Sequence, residues 1–418
     1  MRLFPGTSLF AVTLLAVGIS TNAYAVVPVI KTVRAAAADP LRPHPGYPGK
    51  TLILKATANA GGAPMSYDWD FGDGSPHVTG PVSDPYIVEA THSYGSIGSF
   101  TAILKVTNTS TAEFAIANYS IQVSAKTLAT EVNIAIEDGL WYLHKTMGRS
   151  TVTGTPYGTW FQCPKGGSAC AFYPAIDPQN IQAFEVVGFL ESGSPQDPYT
   201  ETVSRAMKAV LNGLGSSPIP NTKTLFTNPA LTTTVTVNPD TNGNGLSVGP
   251  NSSQQIYQGG MFLDALVAAN NPAKVVDFGP LVGGGRTYLQ TIQDMVDFYA
   301  NCQDEGGNDG FSSRPGGGWR YDCNGGADNS VNQWGAIGMI AAEQTPGVAH
   351  SAPAGSKLAN LNGWLAYSQD TSSGIFGYDT SSSIWGPYAT TPSGMVQLVW
   401  DEVGRGDTRW DKAESFIR

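Results

Sequence analysis

Residues 316–343, GGGWRYDCNGGADNSVNQWGAIGMIAAE, constrain what this chain can fold into more than any other stretch. A glycine-rich turn leads to an aromatic pair, Trp319 and Tyr321. Asp328 and Ser330 follow, two side chains suited to accept hydrogen bonds from the first free N–H groups of a helix. Trp334, Ile337, Gly338 and Ala341 then recur at three- and four-residue steps, which predicts a helix over about residues 331–343. The small residues Gly335, Ala336, Gly338, Ala341 and Ala342 let a neighbouring helix approach closely, the pattern of a helix inside a packed array.

Weaker copies of this unit flank it. Amphipathic helices are expected over residues 132–147, 199–214, 288–303 and 358–369, with a further start at 409–417. Each of the first four has a second helix after it, at 178–190, 252–269, 331–343 and 392–403. Aromatic, glycine-bearing links join three of the pairs: YGTWF at 157–161, GGGWRY at 316–321 and GIFGY at 374–378. Four helical hairpins and part of a fifth are therefore legible, each able to bury its apolar face only against its neighbours.

The segments AIEDGLWYLHKTM, GGWRYDCNGGADNSVNQWGAIGMIAAE and GWLAYSQDTSSGIFGY resemble the repeats of the prenyltransferase and squalene-cyclase type α/α toroid. The resemblance covers residues 130–418 and implies hairpins closing into a ring, with inner-helix N-termini around a central cavity. Because the sequence ends within an outer helix, the toroid reads as incomplete.

Residues 1–25 carry Arg2, an apolar run over 9–19 and the small-x-small sequence Ala23-Tyr24-Ala25, the layout of a secretory signal peptide. The apolar run is shorter than the roughly 20 residues a membrane span needs. The expected destination is the periplasm, the cell surface or the medium. Without Arg2 the chain keeps 22 of its 23 basic residues against 33 acidic ones, a net charge of −11. That excess is unsuited to nucleic acid, whose phosphates call for a basic face, and no later stretch is apolar enough to span a bilayer.

Residues 26–45 read as a flexible lead, and 46–124 as a second domain. The stretches TLILKATA, FTAILKVTN and ANYSIQVSA alternate with period two between glycine- and proline-bearing turns, which predicts an antiparallel β-sandwich. YDWDFGDGS at 67–75, with HSYGSIGSFTAILKVTN at 92–108, resembles the polycystic kidney disease (PKD) domain, an immunoglobulin-like sandwich. The resemblance implies a spacer or adhesion module, sometimes in contact with glycan or protein. Asp70 and Asp73 are expected to cap the turn rather than to bind calcium. The fold class is thus multidomain: an immunoglobulin-like β-sandwich followed by an all-α toroid of helical hairpins.

Cys163, Cys170, Cys302 and Cys323 all lie in the helical region, and an even count in an exported chain points to two disulfides. The expected pairs are Cys163 with Cys170 and Cys302 with Cys323, each pinning the loop inside a hairpin. Residues 215–250 form an insertion with a β-prone run, TTTVTV. Within it Asp240, Asn242, Asn244 and Gly245 have the spacing of a calcium loop, but Asn251 stands at the twelfth position where a glutamate is wanted. Gly245-Leu246-Ser247-Val248-Gly249 spells a nucleophile elbow without the strand-to-helix context that one requires.

The five histidines are scattered, so neither a zinc centre nor a histidine base is indicated. The toroid family's own catalytic patterns are missing too: no D-x-D-D acid, no complete zinc set around Asp322 and Cys323, and no C-G-E-Q. What remains is a cavity argument. Polar residues at inner-helix starts include Asp177 with Asn180, Gln254 with Gln255, Asp328 with Asn329, and Thr391 with Ser393. Aromatic links contribute Trp160, Trp319, Tyr321, Tyr378, Trp385 and Tyr388. Amides, carboxylates and flat rings at a cavity mouth suit a sugar, although caps and inter-hairpin packing account for the same residues.

Three readings follow. The first is an exported protein that binds extracellular glycan or an envelope protein. The second is an extracellular glycan-active lyase or hydrolase with Asp177 or Asp328 as general acid or base. The third is a structural scaffold without a small ligand. No cofactor is expected, calcium at Asp240, Asn242 and Asn244 being the one alternative.

Overall fold

The computed structural model describes residues 26–33, 43–160, 174–307, 314–349 and 353–418. Among the described residues the N-terminal domain has eight strands: β1 (Val29–Thr32), β2 (His44–Gly46), β3 (Thr51–Asn59), β4 (Met65–Asp70), β5 (Val78–Pro81), β6 (Val88–Ser93), β7 (Gly98–Asn108) and β8 (Phe114–Val123). They form a three-stranded sheet in the order β1-β3-β6 and a five-stranded one in the order β2-β8-β7-β4-β5. All pairings are antiparallel except that of β2 with β8.

Leu52, Leu54, Ala56 and Ala58 from β3 meet Trp69, Leu104, Val106 and Tyr119 in the sandwich core. Trp69 sets its edge against Tyr119 at 5.8 Å, a favoured aromatic geometry. The YDWDFGDGS turn follows from its residue types. Asp70 accepts the N–H of Gly72, and Asp73 accepts that of Ser75. Gly72 is required there: its φ is +74°, and a Cβ would fall 2.2 Å from the Thr101 carbonyl oxygen.

The C-terminal region is helical. α1 (Leu128–Thr146) is followed by the hairpin β9 (Gly148–Val152) and β10 (Thr155–Thr159), then α2 (Ile176–Glu185) and α3 (Pro198–Asn212). The insertion folds as β11 (Leu214–Pro218), β12 (Lys223–Phe226), β13 (Thr234–Val237) and β14 (Leu246–Pro250). β11 pairs with β14 and β12 with β13, so the TTTVTV run does supply a strand. Next come α4 (Gln255–Ala268), α5 (Tyr288–Cys302), β15 (Gly306–Gly307), β16 (Arg314–Pro315) and α6 (Asn332–Glu343). Then α7 (Pro353–Ala359) runs through a π-helical stretch, Asn360–Leu365, into α8 (Ala366–Ser368). α9 (Pro387–Trp400) and α10 (Thr408–Ile417) complete the order.

α2, α4, α6 and α9 stand side by side as a row, each touching the next, and the other helices flank them. Close approach within the row depends on Gly338 of the expected small residues and on Gly260 of the facing helix: a Cβ on Gly260 would meet the Trp334 carbonyl oxygen at 2.0 Å, and one on Gly338 would meet Gly260 at 3.0 Å. Several helix boundaries depart from the sequence-based expectation, α7 for one beginning at Pro353 rather than 358. α1 begins four residues before Val132, because Thr127 accepts the N–H of Thr130 and caps it there. α2 stops at Glu185 rather than 190, where Gly188 at φ +91° turns the chain back and Phe189 donates to the Phe184 carbonyl. α9 begins at Pro387, not at Pro392, and carries Pro392 on an exposed face within its length.

The two domains share a packed interface. β3 is buried on both faces, so Lys55, which alternation alone would send to solvent, is fully covered and pairs with Asp138 of α1 at 3.1 Å. Glu89 of β6 accepts from both the Trp141 indole and Lys145. The Arg149 guanidinium lies 4.2 Å from the centre of the Tyr86 ring. His144 contacts the Tyr86 carbonyl oxygen at 2.9 Å, while burial, with Arg149 adding to it, pushes its pKa down to about 3. Its imidazole is therefore neutral and structural at ordinary pH.

Candidate ligand-binding surface

One latch recurs where the chain passes from a flanking helix to the row. In each of three hairpins the backbone N–H of a link aromatic donates to a side chain at the start of the next row helix: Trp160 to Asp177 at 2.8 Å, Trp319 to Asn332 at 2.6 Å, and Phe376 to Thr391 at 3.2 Å. The indole N–H groups reach the other way, Trp160 to the Leu143 carbonyl at 2.8 Å and Trp319 to the Tyr299 carbonyl at 3.0 Å. Leu143 and Tyr299 each lie four residues before the residue that caps their helix, Met147 and Gln303. One tryptophan thus ties the end of one helix to the start of the next, as the GTW and GGGW links require.

This geometry corrects part of the sequence-derived site. Trp160 and Trp319 are 3% and 0% exposed and belong to the core, so neither ring is open to a sugar. Trp319 packs edge-on to Tyr299 and tilted against Trp400. Asp177 accepts from Thr159 and Trp160, and burial lifts its carboxyl to about 6 although those bonds act to lower it. Asp328 is not its counterpart; Asn332 is. Asp328 accepts the N–H groups of Ser330 and Val331 and the Ser330 hydroxyl, and faces Arg320 at 3.2 Å. Both oxygens of Asp177 accept hydrogen bonds, whereas in Asp328 Oδ1 takes the cap bonds and Oδ2 faces Arg320 without a hydrogen bond. Asn329 is fully buried, giving Nδ2 to the Gly377 carbonyl and receiving the Trp364 indole and the Gln397 amide. Asn180 is half-buried on α2. It stands three residues after Asp177, the place held by Gly335 after Asn332 and by Gly394 after Thr391.

Of the expected pairs of cysteines, Cys302–Cys323 is a disulfide; Cys163 and Cys170 lie outside the described residues, as does the signal-like segment 1–25. Ser247 of the elbow-like sequence is 1% exposed within β14 and donates to the Ser217 carbonyl, so it is a strand residue and not a nucleophile.

The remaining aromatics gather on a surface. Tyr257 at the start of α4 lies 5.9 Å from Tyr321 and 6.0 Å from Trp334, the latter edge to face. Burial, followed by Tyr378 and Asp328, raises the Tyr321 hydroxyl, which shares a hydrogen bond with Tyr378. Tyr378 in turn meets Trp385 at 5.3 Å, again edge to face, and Ser330 lies 3.4 Å from its hydroxyl. Tyr257, Tyr321, Trp334, Tyr378 and Trp385 therefore form a continuous ledge over the N-terminal ends of α4, α6 and α9. Trp385 is 73% exposed and Tyr257 38%. Tyr388 is also exposed but stacks on Phe416, away from these contacts. Arg320, Asp322 and Gln333 supply polar groups beside the rings. Tyr257 and Trp334 were not among the residues expected from sequence. Their signal is position: both sit within the first turns of row helices, the level at which the links end.

An open cleft of about 510 Å³ lies between the domains, lined among others by Val27, Lys31, Asn59, Tyr86, Glu201 and Arg205. Within it Arg205 pairs with Glu201 and meets the Tyr86 hydroxyl at 3.1 Å. Among the described residues no three His, Cys, Asp or Glu side chains stand together as a metal-ligand set, and no helix is long and apolar enough to cross a membrane.

Comparison with known proteins gives the following. No curated protein matches this chain. It is similar to the PKD domain of an M14-like peptidase from Thermoplasmatales archaeon SCGC AB-540-F20, with 18% identity and a TM-score of 0.18 over 24% of this chain and 94% of that one. It is similar to the PKD domain from the human VPS10 domain-containing receptor SorCS2, with 16% identity and a TM-score of 0.20 over 30% of this chain and 98% of that one. A family 76 glycoside hydrolase from a bovine Bacteroides thetaiotaomicron strain aligns at 10% identity and a TM-score of 0.42, covering 88% of this chain and 74% of that one. Residues 36–121 match the PKD domain family, and the N-terminal sandwich is accordingly a PKD domain joined to a helical C-terminal region.

Proposed function

We propose that this chain is an exported glycan-binding protein whose helical region is an arc of α/α toroid and whose aromatic ledge is the sugar site. The observation that carries the reading is the ledge itself: five rings from three successive hairpins, linked by ring contacts and the Tyr321–Tyr378 hydrogen bond, with Tyr257 and Trp385 exposed. Aromatic faces cover the apolar C–H faces of pyranose rings, while Arg320, Asp322, Ser330 and Gln333 offer hydrogen-bond partners to hydroxyls. Export is supported by the signal-like N-terminus, the PKD domain and the Cys302–Cys323 disulfide. The enzyme reading has less behind it, because Asp177 spends both oxygens on the latch and Asp328 is held between the helix cap and Arg320.

The test is a glycan array on the full chain, followed by calorimetry on any hit, beside a Tyr257→Ala, Trp385→Ala variant. Both rings are exposed, so the fold should survive. At about 0.5–1.5 kcal/mol for each aromatic contact, their joint loss should weaken binding about tenfold or more. Binding that is unchanged in the variant, or no glycan bound by the parent chain, would overturn the proposal.

A further inference from the structure

The segment Asp240-Thr241-Asn242-Gly243-Asn244-Gly245-Leu246 is folded as a tight loop and pressed against α5. Asp240 accepts the N–H groups of Asn244 at 3.1 Å and Gly245 at 2.9 Å. Gly245 sits at φ +74°, the left-handed conformation that the sixth position of such a loop needs. The glutamate missing at the twelfth position has a substitute from elsewhere in the fold. Asp294 of α5, fully buried, takes the side-chain N–H groups of both Asn242 and Asn244 on one oxygen, at 2.7 and 2.9 Å.

Two further observations point to a ligand. Asp297, one turn along α5 and also fully buried, is engaged by the Thr241 hydroxyl of the loop through one oxygen. Its other oxygen has no partner. The charges also do not balance: Asp240, Asp294 and Asp297 converge on the loop, and Arg286, paired with Asp294, is the cation that answers them. Two negative charges are left over, the complement of one divalent ion. Asn242 and Asn244 are exposed and border an open pocket with Gly283, Gly284 and Gln290, so solvent reaches the loop.

We infer that this loop is a calcium site, with oxygen ligands from Asp240, Asn242, Asn244 and Asp294 and the main-chain carbonyl of Leu246. The donors are all oxygens of mixed type, which suits the six to eight irregular contacts of Ca²⁺ better than the strict octahedron of Mg²⁺. Binding turns the two carboxamides, whose oxygens accept the N–H groups of Asn244 and Leu246, so that those oxygens face the ion, and it frees the Asp294 oxygen that receives their N–H groups. Amides and a carbonyl complete the set, which is why it contains no cluster of three acidic ligands.

The experiment is calorimetric titration of the full chain, stripped with a chelator, with CaCl₂ and separately with MgCl₂. Thermal unfolding is recorded at each end point. One site is expected, with a Kd between about 10⁻⁶ and 10⁻³ M for Ca²⁺ and weaker binding of Mg²⁺. The unfolding temperature should rise by several degrees in calcium. Asp240→Asn keeps the turn's acceptor and removes a charge, and should weaken binding at least tenfold; Asp297→Asn does the same from beneath the loop. No heat and no thermal shift up to about 5 mM Ca²⁺ in the parent chain would overturn the inference. So would calcium binding that both variants retain in full, since the ion would then sit elsewhere. If Asp240→Asn does not fold, the parent titration and Asp297→Asn decide. Glycan binding at the ledge involves none of these residues, so the two proposals fail independently.

Discussion

Replacing Asp177 by asparagine should stabilise the protein at neutral pH, although the residue accepts hydrogen bonds from two donors, the Thr159 hydroxyl and the Trp160 N–H. The carboxyl is 2% exposed, and burial raises it from an ordinary 3.8 to about 6. A folded-state value above the unfolded one means that the native protein holds the proton more tightly. The associated stability is fully present below about pH 4 and is lost as pH rises towards 6 and beyond. At 1.36 kcal/mol per pH unit, ionising Asp177 in the fold costs about 3 kcal/mol. Asparagine is isosteric, its Oδ1 can keep the Trp160 N–H, and the Thr159 hydroxyl can turn to accept from Nδ2. The third hairpin already uses this solution, with Asn332 under Trp319. Urea unfolding of Asp177→Asn against the parent should show a gain of about 1–3 kcal/mol at pH 7.5 that shrinks to near zero at pH 4. Asp177→Ala, which strands the buried Trp160 N–H, should lose about 1–3 kcal/mol at both values. A loss of stability in Asp177→Asn at pH 7.5, or a gain independent of pH, would refute the reasoning and return Asp177 to the list of residues kept for chemistry.

Other outcomes follow from the same physics. Glu185 is 5% exposed with no partner on either oxygen, and burial, then Glu191, lifts it to about 9. Glu185→Gln should therefore raise unfolding stability at pH 7, by up to about 3 kcal/mol, with the advantage fading below pH 4.5. Glu89→Ala removes the shared acceptor of Trp141 and Lys145 between the domains. Calorimetric unfolding should then show the PKD and helical transitions move apart, whereas a single unshifted peak would mean that the interface is held elsewhere. Replacing Cys302 and Cys323 together by serine opens a loop of sequence separation 21 and should cost about 3 kcal/mol in urea unfolding.

How far the sequence carried depends on the kind of information each residue encodes. The repeat was legible because a tryptophan after glycines and a polar residue at a helix start serve one local geometry, and local geometry leaves a spacing. The spacing does not tell whether the polar residue faces a ligand or the backbone. Asp177, Asn332 and Thr391 look like three different chemistries in the sequence, yet each holds the same N–H. Lys55 and Asp294 leave no signal for the opposite reason: their environments come from residues 83 and 50 or more positions away, and no periodicity reports that. The fourth hairpin shows where even a good repeat has to break. Phe376 occupies the place of Trp160 and Trp319, and the carbonyl of Leu365, four residues before Gln369, has the place of Leu143 and Tyr299. No indole reaches it. A Cβ on Gly394 would fall 2.3 Å from the Phe376 ring, against 3.1 Å between Gly335 and Trp319. The row helix lies closer to its link in this hairpin, so a larger ring at 376 would have to displace α9. The latch there relies on its backbone bonds to Thr390 and Thr391 instead.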